Sequence, residues 1–550
     1  MIVKMLHLDL LCLAASKDET LKELRDLGAV HLDLGAAQGA EVSSLRGSAA
    51  DAERAVRFVL KARGKKSAGE LQVRSVDEIL KLQAAISAKA AELDELRRTI
   101  AKYAPYGDFD PALARSLIDK GIDLSSVAEL PSELPPKRLF AICADAQSCE
   151  GAIAALTDDL AFTDEKAILS SFPEIAERIS FAAAREIMLE KGSIAIISGW
   201  IPERSVEKLK PSASSQGWGL LLRAAAVGEE PPVLVEPPKI FKPMKALFAG
   251  LGISPAYSES DVSVPFMCYF ALFCAMLVGD GAYGAIFLLG TLAMRRRLPR
   301  DWFILLTVFS SAAVLWGVLS NTWFGAAIPA LSSLPSAKWL ADPSYQNMML
   351  LCFTIGASHL MLARIWNGIC RFPDSTAFAE FGWAGILLFM YLVTNSIVGI
   401  FSGMPPWGYA VFGVSLVLVF LFSVKPSELK TRGAELGLLP LNIMSALGDI
   451  ISYVRLFAVG LASMKVAENF NSMATGLLSG VEDFWLKAVM AILMVVILVV
   501  GHALNLAMAG LSILVHAVRL NTLEFSNHKG ITWSGVAYNP FKRKKEKNNE

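Results

Sequence analysis

Ile450-Ile451-Ser452-Tyr453-Val454-Arg455-Leu456-Phe457-Ala458-Val459-Gly460-Leu461-Ala462 is apolar enough to lie in a bilayer, yet it holds an arginine at its centre. A guanidinium keeps its proton at any ordinary pH, so it cannot escape the cost of hydrocarbon by neutralising itself. That cost is about 2.5–3.5 kcal/mol at the middle of a helix on insertion scales, which makes an intramembrane arginine a functional-site hypothesis by default. A second arginine, Arg519, lies in Leu514-Val515-His516-Ala517-Val518-Arg519-Leu520. Two such arginines point to an ion path.

Around these stretches the chain is uneven. It has 550 residues, is 54% hydrophobic and carries a formal net charge of zero, with a mean hydropathy of +0.46. Residues 1–235 are dense in Lys, Arg, Asp and Glu, whereas residues 263–526 carry long uncharged runs. The reading is a cytosolic domain at 1–235, a linker at 236–262 broken by Pro237, Pro238 and Pro243, a membrane domain at 263–526 and a cytosolic basic tail at 527–550. No global field argues for nucleic acid. The 7 cysteines have no metal-ligand spacing and an odd count, which suits reduced thiols. No phosphate-binding loop of the form GxxxxGK[ST] is present, and neither cofactor nor metal is called for.

In the soluble part, Met1 to Ser16 looks at first like a short signal peptide, but Asp9 interrupts its apolar run. Val3, Met5, Leu8 and Leu10 followed by Lys17-Asp-Glu-Thr-Leu-Lys-Glu-Leu read instead as a strand entering a helix, so a retained cytosolic start is expected. Residues 1–35 and 138–205 alternate short apolar strands with helices, with a strand at Arg138–Cys143, and predict two α/β lobes. The charged helical stretches 48–64 and 76–104, the latter with Ile79, Leu82, Ile86, Leu93, Leu96 and Ile100 at helical steps, predict an antiparallel coiled coil between them.

Seven apolar segments follow, but the connections rich in Arg and Lys (295–300, 364–371, 425–432) belong together on the cytosolic side. That parity requires two crossings between 263 and 295. Val278-Gly279-Asp280-Gly281-Ala282-Tyr283-Gly284 supplies the break, giving about eight transmembrane helices. The last two segments are about 40 residues each, or ~60 Å at 1.5 Å per residue, so they tilt or protrude.

Each of these two long segments carries one polar stripe. Asn442, Ser445, Asp449, Ser452 and Arg455 form the first; His502, Asn505, Ser512, His516 and Arg519 form the second, with Ala509 in the gap. Interhelical hydrogen bonding explains Ser and Asn members as well as an ion path does. Asp280 either lines a half-channel or caps a turn, and His359 reads as either a packed core histidine or a proton relay. Arg364 and Glu380 are expected at membrane ends, reaching the interface.

At these residues the chain resembles subunit a, or subunit I, of the V-type and A-type rotary ATPases. The motifs are Gly448-Asp-Ile-Ile-Ser-Tyr-Val-Arg455-Leu-Phe-Ala-Val-Gly-Leu-Ala, Gly501-His-Ala-Leu-Asn505-Leu and Val515-His516-Ala-Val-Arg519-Leu-Asn-Thr-Leu-Glu524-Phe, with weaker ones at Met276–Gly284, Tyr106–Pro111 and Gly199–Glu203. The resemblance implies a non-catalytic membrane stator in which Arg455 meets carboxylates on a proteolipid rotor ring of c or K subunits. It implies Arg519 opposite as a second arginine, and Asp280 and Glu524 among the ion-path candidates. It also implies peripheral-stalk partners of the E/G type, a soluble ATPase head, and a multi-pass cell-membrane location. Positions where many eukaryotic relatives carry an acid or histidine are Asn442, Ser463 and Ala509 here. The competing reading is a stand-alone secondary transporter using Arg455, Asp280 and Glu468 for an anionic substrate; it calls for internal repeats, and no convincing one is present.

Overall fold

The computed structural model describes residues 2–63, 71–120, 131, 133–226, 228–326, 337, 339, 345–425, 434–479 and 483–543. The expected basic run at 544–547 and loop residues 426–432 lie outside these. The chain divides into two compact units: Leu6–Ala224 with Asn539–Glu550, and Met1–Met5 with Ala225–Tyr538.

The first unit starts with β1 (Met5–Leu13), whose period-two pattern buries Leu8, Leu10 and Cys12 on one face. Next come α1 (Lys17–Leu27), α2 (Ala40–Arg63), α3 (Val76–Tyr103), α4 (Pro111–Asp119), α5 (Leu139–Ala161) and α6 (Glu165–Ile187). The chain then returns through β2 (Leu189–Lys191), β3 (Ile194–Pro202), α7 (Val206–Gln216) and β4 (Gly219–Ala224). The strands form one sheet in the order β2-β3-β1-β4, so the two expected α/β lobes are corrected to a single sheet layer. Leu21 and Leu24 of α1 and Val206, Leu209 and Ala213 of α7 pack over it.

The expected strand at Arg138–Cys143 is helix instead: α5 begins at Leu139, because an alanine-rich run favours helix once α3 offers an apolar face. The helix α3 opens with a capping box between Ser75 and Glu78. Its main partner is α5, with Ile79 near Leu160 at one end and Leu93 near Ala146 and Cys149 at the other, an antiparallel pair. The helix α2 runs likewise against α6, from Val59 and Ile168 to Val42 and Ala183. The antiparallel pairing expected between 48–64 and 76–104 is thus made chiefly with the 139–187 stretch.

The tail is not wholly free. Phe541 is 5% exposed within the core over the sheet, its N–H donating to the Val30 carbonyl at 2.7 Å, and the Asn539 N–H donates to His31 Nδ1 at 3.0 Å. Phe541→Ala is expected to cost this unit about 3–5 kcal/mol, the usual penalty for deleting a buried aromatic ring. Faster hydrogen exchange in β1 and α7 of the intact chain would register it; unchanged exchange would contradict the docking.

The second unit holds α8 (Met244–Leu251), α9 (Ser263–Val278), α10 (Gly281–Ala293), α11 (Arg300–Ser320), α12 (Gln346–Arg371), α13 (Thr376–Ile397), α14 (Pro406–Phe422), α15 (Leu439–Ser452), α16 (Val454–Gly476) and α17 (Phe484–Ser512). The helix α8 lies inside the expected linker, yet Met244, Leu247 and Phe248 are buried in this unit's core. Prolines flank it rather than interrupt it. Among the described residues, five helical stretches of this unit are long and apolar enough to cross a membrane, and α9, α10 and α14 are shorter and apolar. The break between α9 and α10 falls at Gly279, whose φ of +66° suits a residue without Cβ, and Asp280 caps α10. Burial falls from 50% of the most apolar window in α13 to 6% in Phe484–Lys529, so α13 is central and the last helix is peripheral.

Both long final segments are interrupted. The Tyr453 N–H bonds back to Ile450 rather than four residues away, separating α15 from α16 two residues before Arg455. Beyond α17 the chain winds through π turns at Ile513–Ala517 and Leu520–Phe525 before a last turn at Ser526–Lys529. Each π turn takes up one extra residue, about 100° of rotation, so the single polar stripe expected along this helix is divided.

Candidate ion-translocation site

The divided stripes produce three polar tiers. At the first, Asp280 Oδ1 accepts from the N–H groups of Ala282 and Tyr283, and Oδ2 accepts from Gly325 N–H at 2.8 Å. Asp280 therefore holds the turn between α9 and α10. The Tyr283 hydroxyl meets His502 Nδ1 at 2.7 Å and accepts from Asn505 Nδ2 at 3.0 Å. The Ser463 hydroxyl donates to Asn505 Oδ1 at 3.0 Å, and His502 Nε2 lies 3.1 Å from Asn471 Oδ1. His502 and Asn505, read from sequence, are thus brought together with Tyr283 and Asn471, which were not.

The arginine tier follows. Arg519 Nε lies 3.3 Å from Glu524 Oε1, with the arginine 54% exposed and the glutamate 6%. The charges of Arg455 and Arg519 both act on His516 and on Glu524. Arg455 itself makes no ion pair among the described residues. Arg455 Nη1, His516 Nδ1 and Glu524 Oε2 are all buried without a hydrogen-bond partner. Buried polar atoms are nearly always paired, so three unpaired ones at one level mark a place the chain leaves open. Ser452 turns its hydroxyl to the Asp449 carbonyl at 2.7 Å, and Ser512 stands at the entry to the first π turn.

The third tier lies at the basic-loop end. Asp449 Oδ2 is 3.0 Å from His528 Nε2, and His528 Nδ1 accepts from Arg364 Nε at 3.2 Å. Arg364 and Arg371 hold the two oxygens of Glu380 at 3.1 and 2.9 Å. Glu380, in the second turn of α13, is 5% exposed, and two guanidinium groups make its burial tolerable. A cavity of about 460 Å³ opens here, lined by Asn442, Ser445, Asp449, Arg364, Trp383 and His528. His528 and Lys529 are not singled out by the sequence, because they fall in the stretch read as the tail, 527–550. Just outside the helices, hydrogen bonding to Lys425 holds the Asp374 carboxyl below its ordinary range.

His359 is fully buried, its Nδ1 2.8 Å from the Tyr453 hydroxyl, and stacks on Tyr269 and Phe525. Of the two sequence readings, this is the packed core histidine. Glu468 pairs with Lys465 on an exposed surface at 2.7 Å.

No protein-family model matches the chain. It is 31% identical to V-type ATP synthase subunit I of Borreliella burgdorferi over 66% of this chain and 62% of that one. It is 28% identical to V-type ATP synthase subunit I 1 of Treponema pallidum over 99% of this chain and all of the relative. The A-type ATP synthase subunit I of Methanocaldococcus jannaschii is 24% identical over 64% of this chain, which spans 55% of that relative. With likeness running the length of the Treponema protein and the arginine motifs set on two interrupted apolar helices, the chain belongs to the subunit a/I family of V-type and A-type ATP synthases.

Proposed function

We propose that this chain is the membrane stator of a V/A-type rotary ATPase, with Arg455 as the fixed charge that a rotor ring of proteolipid subunits must pass. The observation that carries the reading is the arginine tier, where Arg455, His516 and Glu524 keep buried polar atoms without partners from their own chain. Beside it α15 leaves Leu441 and Met444 exposed and α17 leaves Val500, Leu504 and Leu511 exposed, an apolar surface suited to a rotor helix or lipid. The eight apolar helices make eight passes, and the basic loops and first unit face the cytosol.

Two half-channels meet at the arginine level. The cavity of Asn442, Ser445, Asp449 and His528 opens toward the basic loops, and the group of Tyr283, Ser463, His502 and Asn505 lies toward the opposite side. A permanent cation between them attracts an ionised rotor carboxylate and blocks direct passage, so ions travel with the ring. The helical part of the first unit meets the peripheral stalks, and nucleotide chemistry belongs to a soluble head in other chains.

A stand-alone transporter site would need Asp280 and Glu468 free to work with Arg455. One carboxylate is held by three backbone donors and the other by Lys465. ATP-driven pumping by the intact complex, reconstituted in vesicles with Arg455→Ala, tests the stator reading. Arg519→Ala is expected to leave measurable but reduced pumping, because Arg519 is half-exposed and already paired with Glu524. Loss as total as that of Arg455→Ala would contradict this ranking.

A further inference from the structure

We infer that His359 is a positioning residue that sets the spacing of the two arginine-bearing helices. This rests on the reading of Arg455 as the stator charge. The helix α12 bears no arginine of the central tier, yet through His359 it touches both helices that do. On one side His359 Nδ1 meets the hydroxyl of Tyr453, the residue at the break between α15 and α16, two positions before Arg455. On the other its ring stacks on Phe525, centroids 4.5 Å apart and planes 17° from parallel. Phe525 directly follows Glu524, the partner of Arg519.

The neighbourhood is built around this contact. Tyr453 is fully buried, and its ring fills the notch above Gly356, where an added Cβ would stand 2.5 Å from the ring. Tyr269 of α9 closes the far face of the imidazole at 4.1 Å, and Phe273 meets its edge at 5.4 Å. Held between two rings, the imidazole has little freedom to turn.

Stability does not explain a histidine here. One ring nitrogen bonds Tyr453, while Nε2 is buried with no partner. Whichever tautomer is present, one polar group is left unsatisfied, a cost that an apolar pair in place of His359 and Tyr453 would not carry. What an apolar side chain could not supply is a directional bond to Tyr453. That bond fixes where α16 starts, and hence where Arg455 stands against the surface offered to the rotor.

The test uses the whole complex in sealed vesicles, measuring ions moved per ATP hydrolysed and passive leak with ATP hydrolysis inhibited. Tyr453→Phe removes one oxygen, and His359→Leu removes the ring; each is expected to lower the ion-to-ATP ratio about tenfold, since small displacements of a working group have effects of that order or more. The double variant is expected to be no worse than either single one, because both break one contact. His359→Asn, which keeps a polar atom near the Nδ1 position, is expected to restore most of the ratio. A wild-type ratio for Tyr453→Phe overturns the inference even where His359→Leu fails to assemble, as does an additive double variant. Arg455→Ala serves as the control in the same vesicles. Its loss of pumping beside unaffected Tyr453→Phe defeats only this inference; normal pumping with Arg455→Ala defeats the stator reading beneath it.

Discussion

ATP-driven pumping is expected to fall below detection in vesicles bearing the Arg455→Ala complex, while assembly and the packing of α15 to α17 persist. The guanidinium makes no ion pair among the described residues, so its removal breaks no salt bridge among them. What disappears is the attraction offered to an incoming carboxylate, about 4 kcal/mol for unit charges 4 Å apart at an effective dielectric of 20. At about 1.4 kcal/mol per decade that is roughly three orders of magnitude in rate. Arg455→Lys keeps the charge but loses the planar donor fork, and partial activity is expected of it. Pumping by Arg455→Ala at anything near the normal rate refutes the assignment.

Glu380→Ala is expected to cost about 3–5 kcal/mol of stability, because it leaves the largely buried charge of Arg364 uncompensated. Its carboxylate joins Arg364, 20% exposed, to Arg371, 53% exposed. Arg364 also bonds His528 and lies 5.3 Å above the Trp383 ring, so the damage spreads to the Asp449–His528 pair and the cavity beside it. Arg371→Ala removes the exposed arm alone and is expected to cost within about 1 kcal/mol. Thermal melting of the solubilised complex separates the two; equal small shifts would show that Glu380 is not the keystone of this corner.

Much of the candidate site is legible in the sequence because polar and charged groups are expensive in hydrocarbon. Arg455, Arg519, His516, Asp449, His502 and Asn505 stood out against apolar neighbours, and so did the break at Gly279-Asp280. Tyr453, Tyr283 and His359 gave no such signal, since a tyrosine or histidine in an apolar run reads equally well as core. Their importance lies in partners from distant helices: Tyr283 meets His502, and Tyr453 meets His359. The first unit differs from the sequence reading at 138–143, where local strand character yields to the apolar face of α3.

Which segments are apolar, where arginines interrupt them and where glycine breaks them follow from composition and periodicity, because transfer free energy acts residue by residue. The partition of the polar stripes into three tiers, the burial of Glu380 between two arginines and the docking of Phe541 come only with the assembled fold. They depend on π turns that rotate one part of a helix against another and on contacts between residues far apart in the chain, for which no local pattern is required.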